Sequence, residues 1–108
     1  MQHILLIEDD AELAGYLKDF LQDEGFAVTH ARGQTDGLAA FRSGRFDCLL
    51  LDLSLEDGSG FSVCGIVRED QQYLPVFYLS RLYAYAVGSA SVKIFELGRV
   101  RKNSLPKA

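Results

Sequence analysis

Two apolar runs, each ending in acid, constrain this chain more than any other feature. Cys48-Leu49-Leu50-Leu51 runs into Asp52, and a loop containing Gly58 and Gly60 follows. Apolar residues on successive positions leave neither face of such a strand for solvent, which is the pattern of a central strand in a parallel sheet. Near the N-terminus His3-Ile4-Leu5-Leu6-Ile7 repeats the pattern and ends in Glu8-Asp9-Asp10. A carboxylate buried as a bare charge is expensive, so Asp52 is expected either at the open carboxyl edge of the sheet or beside a cation.

Between and after these runs, strand and helix signals alternate. Leu13, Tyr16, Leu17, Phe20 and Leu21 recur at helical spacing after Asp10, an N-cap residue type, and Gly25 closes the stretch, which predicts a helix over 11–24. Residues 26–30 read as a short second strand. A weaker helix follows, with Leu38, Ala39 and Phe41 as its apolar face, Gly33 and Gly37 lowering its propensity and Gly44 at its end. The third strand is expected over 46–53, and Phe61, Cys64 and Val67 place a third helix over 61–70. Pro75 then opens a fourth strand through Ser80, a position proline tolerates. Ser89 is a cap for a further short helix ending near Leu97, and 103–108, a poor strand by composition, is at most a brief edge strand. This alternation predicts an α/β fold, a doubly wound parallel sheet of flavodoxin-like strand order 2-1-3-4-5.

The chain of 108 residues is the size of one domain. No apolar run approaches the roughly 20 residues of a membrane helix, and no basic segment leads into an apolar one, so the expected location is the cytoplasm. Cys48 and Cys64 lack CxxC spacing and read as buried free thiols. Charge is uneven: residues 1–70 carry 14 acids against 5 Lys and Arg, and residues 71–108 carry 1 acid against 6, a balance of −9 against +5. Short basic tails are usually solvated and nothing resembles a recognition helix, so direct nucleic-acid binding is not expected. His3 and His30 lie far from each other and from any nucleophile, and read as structural. Tyr73, Tyr78, Tyr83 and Tyr85 read as core or interface aromatics.

In the predicted order the first and third strands are neighbours about 4.8 Å apart, and ligands bind beyond their carboxyl ends. Glu8, Asp9 and Asp52 would converge there although 43 residues separate Asp9 from Asp52. Clustered carboxylates repel unless a cation is shared, and hard oxygen ligands favour Mg²⁺, with Mn²⁺ or Ca²⁺ as substitutes. Metal-assisted phosphoryl chemistry is the expected use.

With these residues in place the chain resembles the receiver domains of bacterial two-component response regulators. The resemblance rests on Ile4-Leu5-Leu6-Ile7-Glu8-Asp9-Asp10, on Leu49-Leu50-Leu51-Asp52-Leu53 with Gly58 and Gly60, and on Pro75-Val76-Phe77-Tyr78-Leu79-Ser80. It covers about residues 3–80. It implies Asp52 as phosphoacceptor, Asp9 as a direct metal ligand, Glu8 as an acid acting on the metal through water, and Ser54 as the residue whose carbonyl completes the site. Ser80 matches the switch hydroxyl, and Lys107 resembles the family's lysine, with Lys93 and Lys102 as rivals. The implied partner is a sensor histidine kinase, and the implied role is a switch that assists its own phosphorylation and dephosphorylation, not a turnover enzyme.

The chain departs from the family pattern in several places. Ala108 replaces the usual proline after the lysine, Ser80 and Lys107 are 27 residues apart, Ser104 stands where a switch aromatic is usual, and Glu56 replaces a common loop proline. The chain stops before the family's fifth helix, which predicts a bare sheet face covered by a partner, most simply a second copy, or else reduced stability. Two other functions compete with the phosphoacceptor. One is a phosphorylation-independent interaction or dimerisation module on the same fold. The other is a small metal-dependent phosphohydrolase, although Asp52-Leu53-Ser54 lacks the second acid of a DxD motif.

Overall fold

A computed structural model describes residues 2–52 and 54–79. Four parallel strands, β1 (His3–Ile7), β2 (Ala27–Ala31), β3 (Cys48–Asp52) and β6 (Val76–Leu79), form one sheet in the order β2-β1-β3-β6. They alternate with α1 (Ala11–Asp23), α2 (Gln34–Ser43) and α3 (Gly60–Asp70). Two brief strands, β4 (Ser54–Leu55) and β5 (Gly58–Ser59), pair antiparallel between β3 and α3. The expected order is thus present through its first four members, with β6 as the fourth strand. The expected fifth strand and the helix from Ser89 lie outside the described residues.

Successive side chains of a strand point to opposite faces, and the core divides accordingly. Leu5, Ile7, Leu49 and Leu51 pack with Leu38 and Phe41 of α2 and Val63 and Val67 of α3. Ile4, Leu6, Cys48 and Leu50 pack on the other face with Ala14, Leu17 and Leu21 of α1. Every residue of β3 is buried, which is why its sequence shows no polar alternation. The sheet is therefore wound on both sides, and both central strands are covered. Among the described residues, no helix is long and apolar enough to cross a membrane.

Local signals set the helix ends. Asp10 caps α1, its Oδ1 accepting from the backbone N–H groups of Glu12 and Leu13, each at 3.1 Å. At the other end Gly25 has φ of 94°, its N–H donates to Gln22 O, and the Phe26 N–H donates to Leu21 O, a left-handed stop that only glycine adopts readily. Ser59 caps α3 by accepting from the Ser62 N–H at 3.1 Å. The Arg68 guanidinium donates to the carbonyls of Gln72 and Leu74 and ties the end of α3 to the approach to β6.

The buried helix faces differ from those expected. On α1 the inward stripe is Ala14, Leu17 and Leu21, whereas Tyr16 is 47% exposed. On α3 it is Gly60, Val63 and Val67, whereas Phe61 is 65% exposed and stacks on Tyr78 with ring centroids 5.2 Å apart. On α2 Gly37 replaces Ala39, because only a residue without a Cβ fits against Ile7. Tyr73, expected in a core or interface, is 88% exposed in the single chain and so is not a core residue. Tyr83 and Tyr85 lie outside the described residues. Cys48 is buried and Cys64 half-buried, both as free thiols.

Candidate functional site

Register brings the acids together. Ile7 pairs with Leu51, so the next residues along, Glu8 and Asp52, leave the two central strands side by side at their carboxyl ends. Carboxylate oxygens of Glu8, Asp9 and Asp52 all lie within 4.8 Å of one another. Glu8 and Asp52 are buried, at 0% and 2% exposure, while Asp9 is half-buried and opens the cluster to solvent.

Backbone contacts hold the first loop in this position. The Glu8 N–H donates to Ala31 O at 3.1 Å, continuing the ladder one residue beyond β1. The Asp10 N–H donates to Glu8 Oε1 at 3.3 Å. His30 of β2 donates from Nε2 to the Glu8 carbonyl at 2.7 Å; a carbonyl only accepts, so that nitrogen carries the proton. His3 bonds Thr29 Oγ1 through its ring at 2.7 Å and packs on Phe46. Both histidine rings thus bond within the sheet and its edges.

The donor set suits a hard divalent cation. Octahedral Mg²⁺ holds oxygens at about 2.0–2.1 Å, so opposite ligands lie about 4.2 Å apart. Carboxylates within 4.8 Å reach that geometry by closing slightly, or with one of them acting through water. Oxygen-only donors, two of them buried, would otherwise concentrate negative charge away from solvent, which is costly.

The segment after Asp52 is held against α2. The Asp57 carboxylate accepts from the Gln34 N–H at 2.7 Å and from the Thr35 N–H at 3.0 Å. Those backbone donors, Thr35 foremost and then Gln34, hold the Asp57 carboxyl below its usual range. Gln34 in turn accepts from the Ser59 N–H at 3.2 Å and donates to Ser62 Oγ at 3.2 Å. A recess of about 310 Å³ beside this contact is lined by Asp9, Arg32, Gly33, Asp36, Glu56 and Asp57. Gly33 at the N-cap has no side chain able to cap α2 itself.

Of the residues singled out from sequence, Glu8, Asp9 and Asp52 therefore meet. Ser54 lies two residues beyond Asp52 at the start of β4. Ser80, Lys107, Lys93 and Lys102 lie outside the described residues.

The family model for the response regulator receiver domain matches residues 4–101. This chain belongs to that family. A receiver domain is a signalling domain of two-component response regulators, and this one is similar to the transcriptional regulatory protein PcoR of Escherichia coli, 32% identical over 80 residues. That match covers 74% of this chain and 35% of PcoR, so the receiver spans about a third of the curated relatives' length. Among solved structures, the non-phosphorylated HemR receiver domain of Leptospira biflexa superposes with a TM-score of 0.81 at 27% identity, covering 100% of both chains. The response regulator TrrA of Thermotoga maritima, solved in complex with Mg²⁺–BeF, superposes with a TM-score of 0.70 at 28% identity, over 77% of this chain and 74% of that one. A second structure holds TrrA in complex with the histidine kinase ThkA, with a TM-score of 0.71 at 30% identity, over 75% of this chain and 70% of that one.

Proposed function

We propose that this receiver domain is a phosphoacceptor switch. It takes a phosphoryl group from the histidine of a sensor kinase onto Asp52, with Mg²⁺ held by Asp9 and Asp52, by Glu8 through water, and by the Ser54 carbonyl. The observation that carries this reading is the convergence of Glu8, Asp9 and Asp52 at the carboxyl ends of β1 and β3. The TrrA complexes with Mg²⁺–BeF and with a histidine kinase support the metal and the partner by similarity.

A carboxylate oxygen of Asp52 attacks phosphorus in line. The bond from phosphorus to the donor imidazole nitrogen breaks, and the imidazole leaves with that electron pair as an acyl phosphate forms on Asp52. Bound Mg²⁺ supplies positive charge to the phosphoryl oxygens. The three acids stand together at the strand ends before the donor arrives, and half-buried Asp9 leaves the cluster open to it. Lys107 neutralises a further phosphoryl oxygen, and the Ser80 hydroxyl turns to bond the phosphoryl group, carrying the change to an interaction surface. The same residues serve the return reaction, in which water attacks phosphorus, the bond from phosphorus to the Asp52 oxygen breaks, and inorganic phosphate leaves with the Asp52 carboxylate restored.

The test is intact-protein mass spectrometry after incubation with a small phosphodonor and Mg²⁺, run beside Asp52→Asn. A gain of one phosphoryl group in the parent alone supports the proposal. No gain by folded parent protein overturns it and leaves the phosphorylation-independent interaction module.

A further inference from the structure

The contact between Asp57 and α2 replaces something an ordinary helix carries itself. The first N–H groups of a helix need acceptors, and the residue at the N-cap usually supplies one from its own side chain. Here the N-cap is Gly33, in extended backbone and with no side chain to offer. The acceptor is instead Asp57, 23 residues from Gln34, in the hairpin that leads directly out of Asp52. Both its oxygens are engaged, at 2.7 Å and 3.0 Å.

Two glycines make the approach possible. A Cβ on Gly33 would stand 2.5 Å from Asp57 Oδ1, and a Cβ on Gly58 would overlap the Gln34 side-chain amide. Gln34 then fastens β5 through Ser59 and the start of α3 through Ser62. The hairpin is thus clamped to one helical turn at its own turn and at β5, and β5 in turn pairs with β4 through Ser59 and Ser54. A local cap would hold α2 equally well, but it would not tie the hairpin turn to the helix.

We infer that Asp57 is a positioning residue for the acidic site: by clamping the turn of the hairpin after Asp52 to the first turn of α2, it holds the Ser54 backbone, through its pairing with Ser59, in the place that receives the divalent cation. The inference rests on the proposed metal site, and it makes α2 and that site thermodynamically linked. Tightening at one end then tightens the other.

A helix cap and a positioning tether are separable by moving the cap. Asp57→Ala removes both functions. Gly33→Asp combined with Asp57→Ala restores a local cap and keeps net charge constant, and the clash at Gly33 disappears with the Asp57 carboxylate. Mg²⁺ affinity of the full chain is measured by calorimetry, and stability by thermal unfolding. The expected result is recovery of thermal stability in the double variant while Mg²⁺ still binds at least about fivefold more weakly than to the parent, the lower end of typical site-to-site coupling. Should Asp57→Ala alone fail to fold, the double variant carries the comparison. Parental Mg²⁺ affinity in the double variant overturns the inference and leaves Asp57 a helix cap. A parent that binds no Mg²⁺ overturns the metal site itself, and the inference with it.

Discussion

Gly37 of α2 sits against Ile7 of β1 with no room for a side-chain carbon between them. Ile7 is fully buried, so its side chain has little freedom to yield, and a Cβ at position 37 would also lie 3.0 Å from Cγ1. Alanine gains up to about 1 kcal/mol of helix propensity over glycine, whereas overpacking a core costs about 1–3 kcal/mol. The cost prevails, and Gly37→Ala is expected to lower stability in urea unfolding. Gly15 is the control: it is exposed in α1, and a Cβ there would meet nothing within 4 Å, so Gly15→Ala is expected to raise stability by about 0.5–1 kcal/mol.

The acidic cluster predicts opposite effects with and without cation. Glu8, Asp9 and Asp52 hold oxygens within 4.8 Å of one another, and like charges about 4 Å apart repel by on the order of 1–4 kcal/mol between bulk-water and near-surface screening. Asp52→Asn relieves part of that repulsion and is expected to raise the Tm in EDTA. In excess Mg²⁺ the parent gains from binding, about 2.7 kcal/mol at a hundredfold excess over Kd, and the variant gains less. Thermal unfolding in EDTA and in Mg²⁺ checks both signs. A parent that rises no more than the variant in Mg²⁺ would remove Asp52 from the cation site.

These effects separate what the sequence carried from what only the fold reveals. The central strands were legible because burial on both faces writes itself as the unbroken run Cys48-Leu49-Leu50-Leu51, and the ends of α1 because Asp10 and Gly25 act on their own neighbours. The acid cluster followed from strand order and register alone. Which helix residues face inward was less legible, since aromatic bulk at Tyr16 and Phe61 mimics a core pattern while the small residues Ala14, Gly37 and Gly60 make the close contacts. The β4–β5 hairpin has two residues in each strand, too few for any alternation to show. Asp57 reaches across 22 and 23 residues to Thr35 and Gln34, and no local pattern encodes that contact.

Burial makes the two thiols unequal. Desolvation, with a smaller contribution from the adjacent Asp47 carboxylate, pushes the Cys48 thiol up to about 12. Thiolate is the reactive form, so Cys48 is protected by both pKa and inaccessibility. Alkylation of native protein at mildly alkaline pH is expected to label Cys64, which is half-buried, and to reach Cys48 only after denaturant is added. Peptide mass mapping distinguishes the two, and rapid labelling of Cys48 in native protein would contradict the packing of β3 against α1.

The Asp57 clamp has a pH signature of fixed sign. Its carboxyl is held below the usual range by the Thr35 and Gln34 N–H groups, so the charged form is favoured in the folded protein. Stability from such a group is fully present above the unfolded carboxyl pKa of about 3.9 and is lost as pH falls through the lower folded value. Asp57→Asn keeps an acceptor oxygen but never carries the charge. The stability difference between parent and Asp57→Asn is therefore expected to be largest near neutral pH and to shrink as pH falls below about 4, where the parent side chain protonates. Urea midpoints of both proteins across that range give the difference directly, and a gap that stayed constant into acid would mean that the charge on Asp57 contributes nothing to the clamp.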